Sequence, residues 1–106
     1  MGPQELLGRL RQLVAERDWG QFHSPENLAK GISIEAAELL ECFQWDSNAD
    51  PEKVKDELAD VLTYCLLLLD KYDLDLESIV LEKLEKTIEK YPVEKARGTS
   101  EKYDRL

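Results

Sequence analysis

Apolar residues recur along this chain at helical intervals, and no segment keeps the two-residue alternation of a half-buried strand. Leu6, Leu7, Leu10, Leu13 and Val14 form one stripe over Gln4 to Arg17, with Pro3 suited to a first turn. Asp18 to His23 reads as a connector. Ser24-Pro25-Glu26 supplies an N-cap, an N1 proline and a first-turn acid, and opens a second helix toward Gln44 that Gly31 is expected to weaken or bend. Asp50-Pro51-Glu52 repeats that start signal for a third helix reaching about Lys71, and Asp75 can cap a fourth that runs to about Tyr91, before Pro92. The pattern predicts an all-α fold, a four-helix bundle over residues 1–92. A polar tail follows over 93–106, too poor in apolar residues to pack alone and open to ordering by a ligand or partner.

On helical wheels the second and third helices share a layout. Leu28, Ile32, Ala36, Leu39 and Phe43 cluster on the second, with Glu35 and Glu38 about 60° and 120° to one side. On the third, Val54, Leu58, Val61, Leu62, Cys65 and Leu69 form the stripe, and Glu57 and Asp60 fall about 60° and 120° to the same side. The segments Glu35-Ala-Ala-Glu-Leu-Leu and Glu57-Leu-Ala-Asp-Val-Leu match class for class, a hint of an internal pseudo-repeat. Packed antiparallel through their stripes, the two helices would bring four carboxylates to the border of the core. Leu66 to Leu69 make the third helix apolar around more of its circumference than one neighbour covers, which predicts a homo-oligomer.

Charge sharpens this picture. In 106 residues, 23 acids against 14 Lys plus Arg leave a net charge of -9, so nucleic acid, anionic lipid and free nucleotide are repelled unless cations intervene. Cys42 and Cys65 lie inside apolar helical runs and form neither a disulfide framework nor a zinc site. With no charged-then-apolar leader and an apolar run of only Tyr64 to Leu69, a cytoplasmic protein with no membrane partner is expected.

Acids at i and i+3 repel each other by a few tenths of a kcal/mol on an isolated helix, so two such pairs beside apolar stripes ask for a compensating cation. All-oxygen ligation suits Mg²⁺, with Mn²⁺ as substitute. A solvated acidic face is the plainer alternative, as for Glu82 with Glu85. Aromatic rings border the acids: Trp45 projects about 20° from Glu38 and Tyr64 about 20° from Glu57 on their wheels. Trp19 and His23 lie in the connector, so a flat ring such as a nucleobase could stack near the metal.

At these residues the sequence resembles the MazG-like, all-alpha nucleotide pyrophosphohydrolases, most of all their small dCTP pyrophosphatase type. The resemblance rests on Glu16-Arg17-Asp18-Trp19, on Gln21-Phe22-His23 with Pro25, Asn27 and Leu28, and on the Glu35 and Glu38 pair. It extends through Phe43-Gln44-Trp45, Glu57-Leu58-Ala59-Asp60-Val61-Leu62 with Tyr64, and Tyr91-Pro92. It implies the fold of that family, assembled as a dimer or dimer of dimers, and cleavage of a nucleoside triphosphate, dCTP or a related or modified pyrimidine, to monophosphate and pyrophosphate. Glu35, Glu38, Glu57 and Asp60 would be catalytic and hold Mg²⁺. Trp19 and Trp45 would line the base pocket, and Lys83, Tyr64 and Tyr91 would help hold the substrate. Beside the resemblance, His23 and Thr87 are further substrate-binding candidates, and Arg97 and Lys102 in the tail could contact phosphates or be solvated charge. Two departures stand out: Thr87 replaces the family's usual asparagine and cannot offer an amide, and Leu10 replaces a polar pocket residue of vertebrate members. A phosphoribosyl-ATP pyrophosphohydrolase shares the acid pattern, and a non-catalytic helical interaction module is the alternative outside the enzymes.

Overall fold

The structure is a computed structural model and describes residues 2–106. The chain forms α1 (Pro3–Glu16), a 3-10 turn (Trp19–Phe22), α2 (Pro25–Glu41), α3 (Pro51–Lys71), α4 (Leu76–Lys90), a short α5 (Val93–Ala96) and a closing 3-10 turn (Tyr103–Arg105). Among the described residues there is no strand. No helix among them is long and apolar enough to cross a membrane.

Local chemistry sets these boundaries. The Asn27 amide donates to the Ser24 hydroxyl at 3.1 Å, the Glu52 amide to Asp50 at 3.1 Å and the Ser78 amide to Asp75 at 3.0 Å, so all three expected caps form. Pro3, Pro25 and Pro51 stand at first helical positions, where a missing N–H is harmless. Asp18 and Asp73, both at φ 52°, turn the chain out of α1 and α3 in the left-handed conformation that short polar side chains tolerate. The second helix stops earlier than its periodicity suggests. The amides of Cys42, Phe43 and Gln44 donate to the carbonyls three residues back, those of Leu39, Leu40 and Glu41, and tighten the chain into a turn. Asp46 then accepts from the Asn48 amide and fixes the following bend.

The residues group into two compact units, one ending at Asp73 and the other running from Leu74 to Leu106. In the first, α2 and α3 pack along their length and α1 lies against α3. Arg11 on α1 reaches Asp70 on α3 through Nε at 3.0 and 3.1 Å to the two carboxylate oxygens, and this fork holds the Asp70 carboxyl below the usual carboxylate range. In the second unit α4 leads into the tail, which is folded against itself. The Tyr103 amide donates to the Tyr91 hydroxyl at 3.2 Å, and the two rings meet edge to face with centroids 6.2 Å apart. Lys90 lies over the Tyr103 ring at 4.7 Å. The expected tail thus has its own local order.

The antiparallel α2–α3 register runs through successive layers. Leu28 and Leu67 line one cavity, Gly31 lies against Tyr64, and Glu35 comes together with Glu57 and Asp60. The acids therefore lie beside a contact that also takes in the apolar stripes: Leu28 is fully buried, and Ile32, Leu39, Val61, Cys65 and Leu69 are half-buried. Three large stripe residues stay open: Leu58, Leu62 and Phe43 are 43%, 53% and 44% exposed. Leu28 is the one buried hydrophobic residue among those described. A single chain covers too little of its own apolar surface to form an ordinary core.

Candidate functional site: a carboxylate cluster between two helices

Glu35 comes from the middle of α2, and Glu57 and Asp60 from the second and third turns of α3. Oxygen atoms of all three lie within 4.8 Å of one another. Glu35 and Glu57 are half-buried and Asp60 is exposed. Glu38, one turn beyond Glu35, touches the Glu35 carboxyl group and also approaches Glu57, but it lies outside the three-oxygen cluster.

The electrostatics are those of negative charge without a counter-ion. The Glu35 carboxyl is pushed up to about 7, first by its hydrogen bond with Glu38, then by desolvation, then by the charges of Glu38, Asp60 and Glu57. Glu57 is also raised, foremost by desolvation and then by the charges of Glu38 and Asp60. None of the ion pairs among the described residues reaches this cluster; they join Arg11 to Asp70, Lys30 to Glu26, Lys55 to Glu52 and Arg105 to Glu101. One oxygen of Glu35 and one of Glu57, both Oε2, are buried and without a hydrogen-bond partner. Buried carboxylate oxygens are normally paired, so an unpartnered oxygen on each of two residues of this cluster leaves acceptor capacity for an electrophile. A donor set made only of carboxylate oxygens suits a hard divalent cation such as Mg²⁺ or Mn²⁺. The residues fit the metal expected from sequence.

The aromatic and basic candidates come from several elements of the two units. His23 is half-buried and lines a cavity of about 280 Å³ with Arg11, Asp18, Leu28, Leu67 and Asp70, at the N-terminal end of α2. Trp19 opens the 3-10 turn beside it, with the Arg17 guanidinium 5.7 Å from its ring centroid. Trp45 lies past the end of α2 and is 89% exposed, so its wheel position beside Glu38 does not hold. Tyr64 is half-buried, one turn beyond Asp60 on α3, and packs on Gly31. Lys83 and Thr87 are exposed on α4, where the Thr87 hydroxyl donates to the Lys83 carbonyl at 3.0 Å. Tyr91 anchors the tail through its hydroxyl, and Arg97 and Lys102 are exposed in that tail. The periodicity missed the Arg11–Asp70 pair, which joins residues far apart in sequence, and the part played by Gly31. A glycine inside an otherwise regular helix was the available signal for the latter.

Known proteins give an independent comparison. The sequence profile of the MazG-like family matches residues 30–106. The rat and human proteins named dCTP pyrophosphatase 1 are 38% and 37% identical to this chain, each alignment taking in 74% of it and 55% of the relative. The chain thus spans about half the length of the curated relatives it matches. A crystal structure of a pyrophosphatase from Archaeoglobus fulgidus superimposes with a TM-score of 0.77 at 44% identity, covering 84% of this chain and 91% of that one.

Proposed function

The chain belongs to the MazG-like family, and on that premise we propose that it is a Mg²⁺-dependent nucleoside triphosphate pyrophosphohydrolase. Its substrate in this reading is a pyrimidine deoxynucleoside triphosphate, dCTP or a related or modified base. The orphaned Glu35 and Glu57 oxygens beside Asp60 carry the proposal, because a chain of net charge -9 can receive a triphosphate only through bound cations. The names of the rat and human relatives support the substrate class, and the archaeal neighbour supports the reaction class.

Glu35, Glu57 and Asp60 would hold the metal, with Glu38 at their edge. When bound, Mg²⁺ supplies charge neutralisation for the phosphates and a lowered pKa for water. Glu38 Oε is assigned the proton of the attacking water, since its carboxylate adjoins the cluster without being part of it. The water oxygen bonds to the α-phosphorus as the bond from that phosphorus to the bridging α–β oxygen breaks, and pyrophosphate leaves with the bond's electron pair. Trp19, His23 and Trp45 are assigned to the base, and Tyr64 to the wall of the site. Lys83, Thr87, Tyr91, Arg97 and Lys102 are assigned to the sugar and phosphates. Thr87, its hydroxyl already donating within α4, has only acceptor capacity left for a ligand. The exposed stripe residues Leu58, Leu62 and Phe43 support assembly as a homo-oligomer. The two free thiols accord with a cytoplasmic site of action.

The test is to incubate the purified chain with each dNTP, each NTP and phosphoribosyl-ATP in Mg²⁺, measuring pyrophosphate and monophosphate together. Turnover of a pyrimidine dNTP with one pyrophosphate per monophosphate is expected. Turnover of phosphoribosyl-ATP alone would replace the substrate class. Inactivity on all of them, with no Mg²⁺ bound, would replace the enzyme by an interaction module.

A further inference from the structure

Gly31 occupies the layer next to the carboxylates. A β-carbon built on it would lie 2.6 Å from both Cδ1 and Cε1 of Tyr64 and 3.2 Å from its Cζ. The tyrosine ring therefore rests directly on the backbone of α2, in space that any other residue would fill. Glu35 follows Gly31 by four residues on α2 and Asp60 precedes Tyr64 by four on α3, so the ring-on-glycine layer and the acid layer are one helical turn apart. Resting on the proposal that these acids hold a divalent cation, we propose that Gly31 is a positioning residue that sets the aperture of the metal site. By letting Tyr64 lie flush on α2, it allows the two helices to approach until the Glu35, Glu57 and Asp60 oxygens fall within 4.8 Å of one another.

The consequence is selective. A 2.6 Å contact must open by about 1 Å to reach ordinary van der Waals separation, and packed helices pass such a displacement to the neighbouring layer because interiors yield little. Mg²⁺ demands oxygens at about 2.0–2.1 Å in near-octahedral array, whereas Ca²⁺ accepts about 2.3–2.6 Å in flexible geometry. Widening the site thus penalises the smaller ion more. Alanine is the better helix former, so a loss of Mg²⁺ on its introduction does not follow from a weakened α2.

The experiment is calorimetric titration of the full chain with Mg²⁺ and, separately, Ca²⁺, in the absence of nucleotide, with helix content followed by circular dichroism. Gly31→Ala is expected to weaken Mg²⁺ by about tenfold or more, the scale on which disturbing the orientation of metal ligands acts, and to weaken Ca²⁺ much less. Gly31→Ala combined with Tyr64→Leu, which removes the ring that the new methyl meets, is expected to recover most of the Mg²⁺ affinity. Tyr64→Phe keeps the ring on the glycine and is expected to retain the wild-type Mg²⁺ to Ca²⁺ preference. Unchanged Mg²⁺ affinity in Gly31→Ala, equal losses for both ions, or no recovery in the double variant would overturn the proposal. So would a lost preference in Tyr64→Phe, an arm that stands whether or not Gly31→Ala folds. A wild-type chain that binds neither ion would instead defeat the metal site itself, which keeps the two failures apart.

Discussion

Proton competition at Glu35 offers a direct measure of the site. In the metal-free chain this carboxyl is pushed up to about 7 by its contact with Glu38, by desolvation and by its like-charged neighbours, and a ligating carboxylate must be ionised. Apparent metal affinity therefore scales with the ionised fraction, which is roughly a tenth at pH 6 and nine-tenths at pH 8 for a group of that pKa. Mg²⁺ should bind about tenfold more weakly at pH 6 than at pH 8, and somewhat more weakly still because Glu57 is raised as well. Near pH 6, binding should expel about one proton per ion. Calorimetry in two buffers of different ionisation enthalpy reads both quantities. Stability carries the same signature. Between the ordinary carboxyl value of 4.5 and about 7, the folded state holds more protons at Glu35 than the unfolded state. The metal-free protein should therefore lose stability as pH rises through that window and level off above it. Saturating Mg²⁺ should flatten the slope, and Glu35→Gln should leave only the part that the raised Glu57 contributes. An affinity that stays constant from pH 8 to pH 6 would show that no carboxyl proton competes with the cation, and the account of the cluster given above would be wrong.

Other substitutions separate chemistry from architecture. Asp60→Asn or Glu38→Gln should abolish pyrophosphate release while leaving the metal-free melting temperature unchanged or higher, since each relieves like-charge repulsion; scanning calorimetry beside a pyrophosphate assay decides this. Leu28→Ala should destabilise the chain by about 2–5 kcal/mol in a urea titration, because this side chain is fully buried. Trp45→Ala should leave stability within about 0.5 kcal/mol, given its 89% exposure. The same variant should raise KM for one base more than for the others, and equal changes for all bases would remove Trp45 from the base site. Asp70→Asn should lower stability modestly at neutral pH. The paired carboxylate has a lowered pKa, so its contribution is complete above the unfolded value near pH 4 and fades as pH falls through the folded one. An Asp70→Asn effect that persists undiminished at low pH would indicate lost packing instead.

Helix starts were legible in the sequence because they are written in adjacent residues. Ser24, Asp50 and Asp75 each cap through their own side chain, and Pro25 and Pro51 need nothing beyond their own ring to favour a first turn. That acids from both helices would come together was legible too, since Glu35 with Glu38 and Glu57 with Asp60 keep a three-residue spacing beside the stripes of two consecutive helices. The end of α2 was not. Periodicity continued to Gln44, whereas the backbone tightened after Glu41 and took Trp45 off the helical wheel, an outcome of local hydrogen bonding that apolar spacing does not encode.

What the sequence by itself determined was therefore the set of helices, the net charge of -9 and the carboxylates available to a metal, all properties of single residues or near neighbours. Only the tertiary structure decided how α2 and α3 approach each other beside the acids. Hydrophobic spacing pointed to the stripes, where Leu28 is buried, and glycine's missing side chain lets the flat ring of Tyr64 rest on α2 beside the acids, since interhelical distance follows the side chains at the contact. That approach buries two carboxylate oxygens without partners and lifts the Glu35 pKa, while Leu58, Leu62 and Phe43 stay open. None of these could be deduced from either helix alone, because each arises from surfaces that become neighbours only when the two helices are docked.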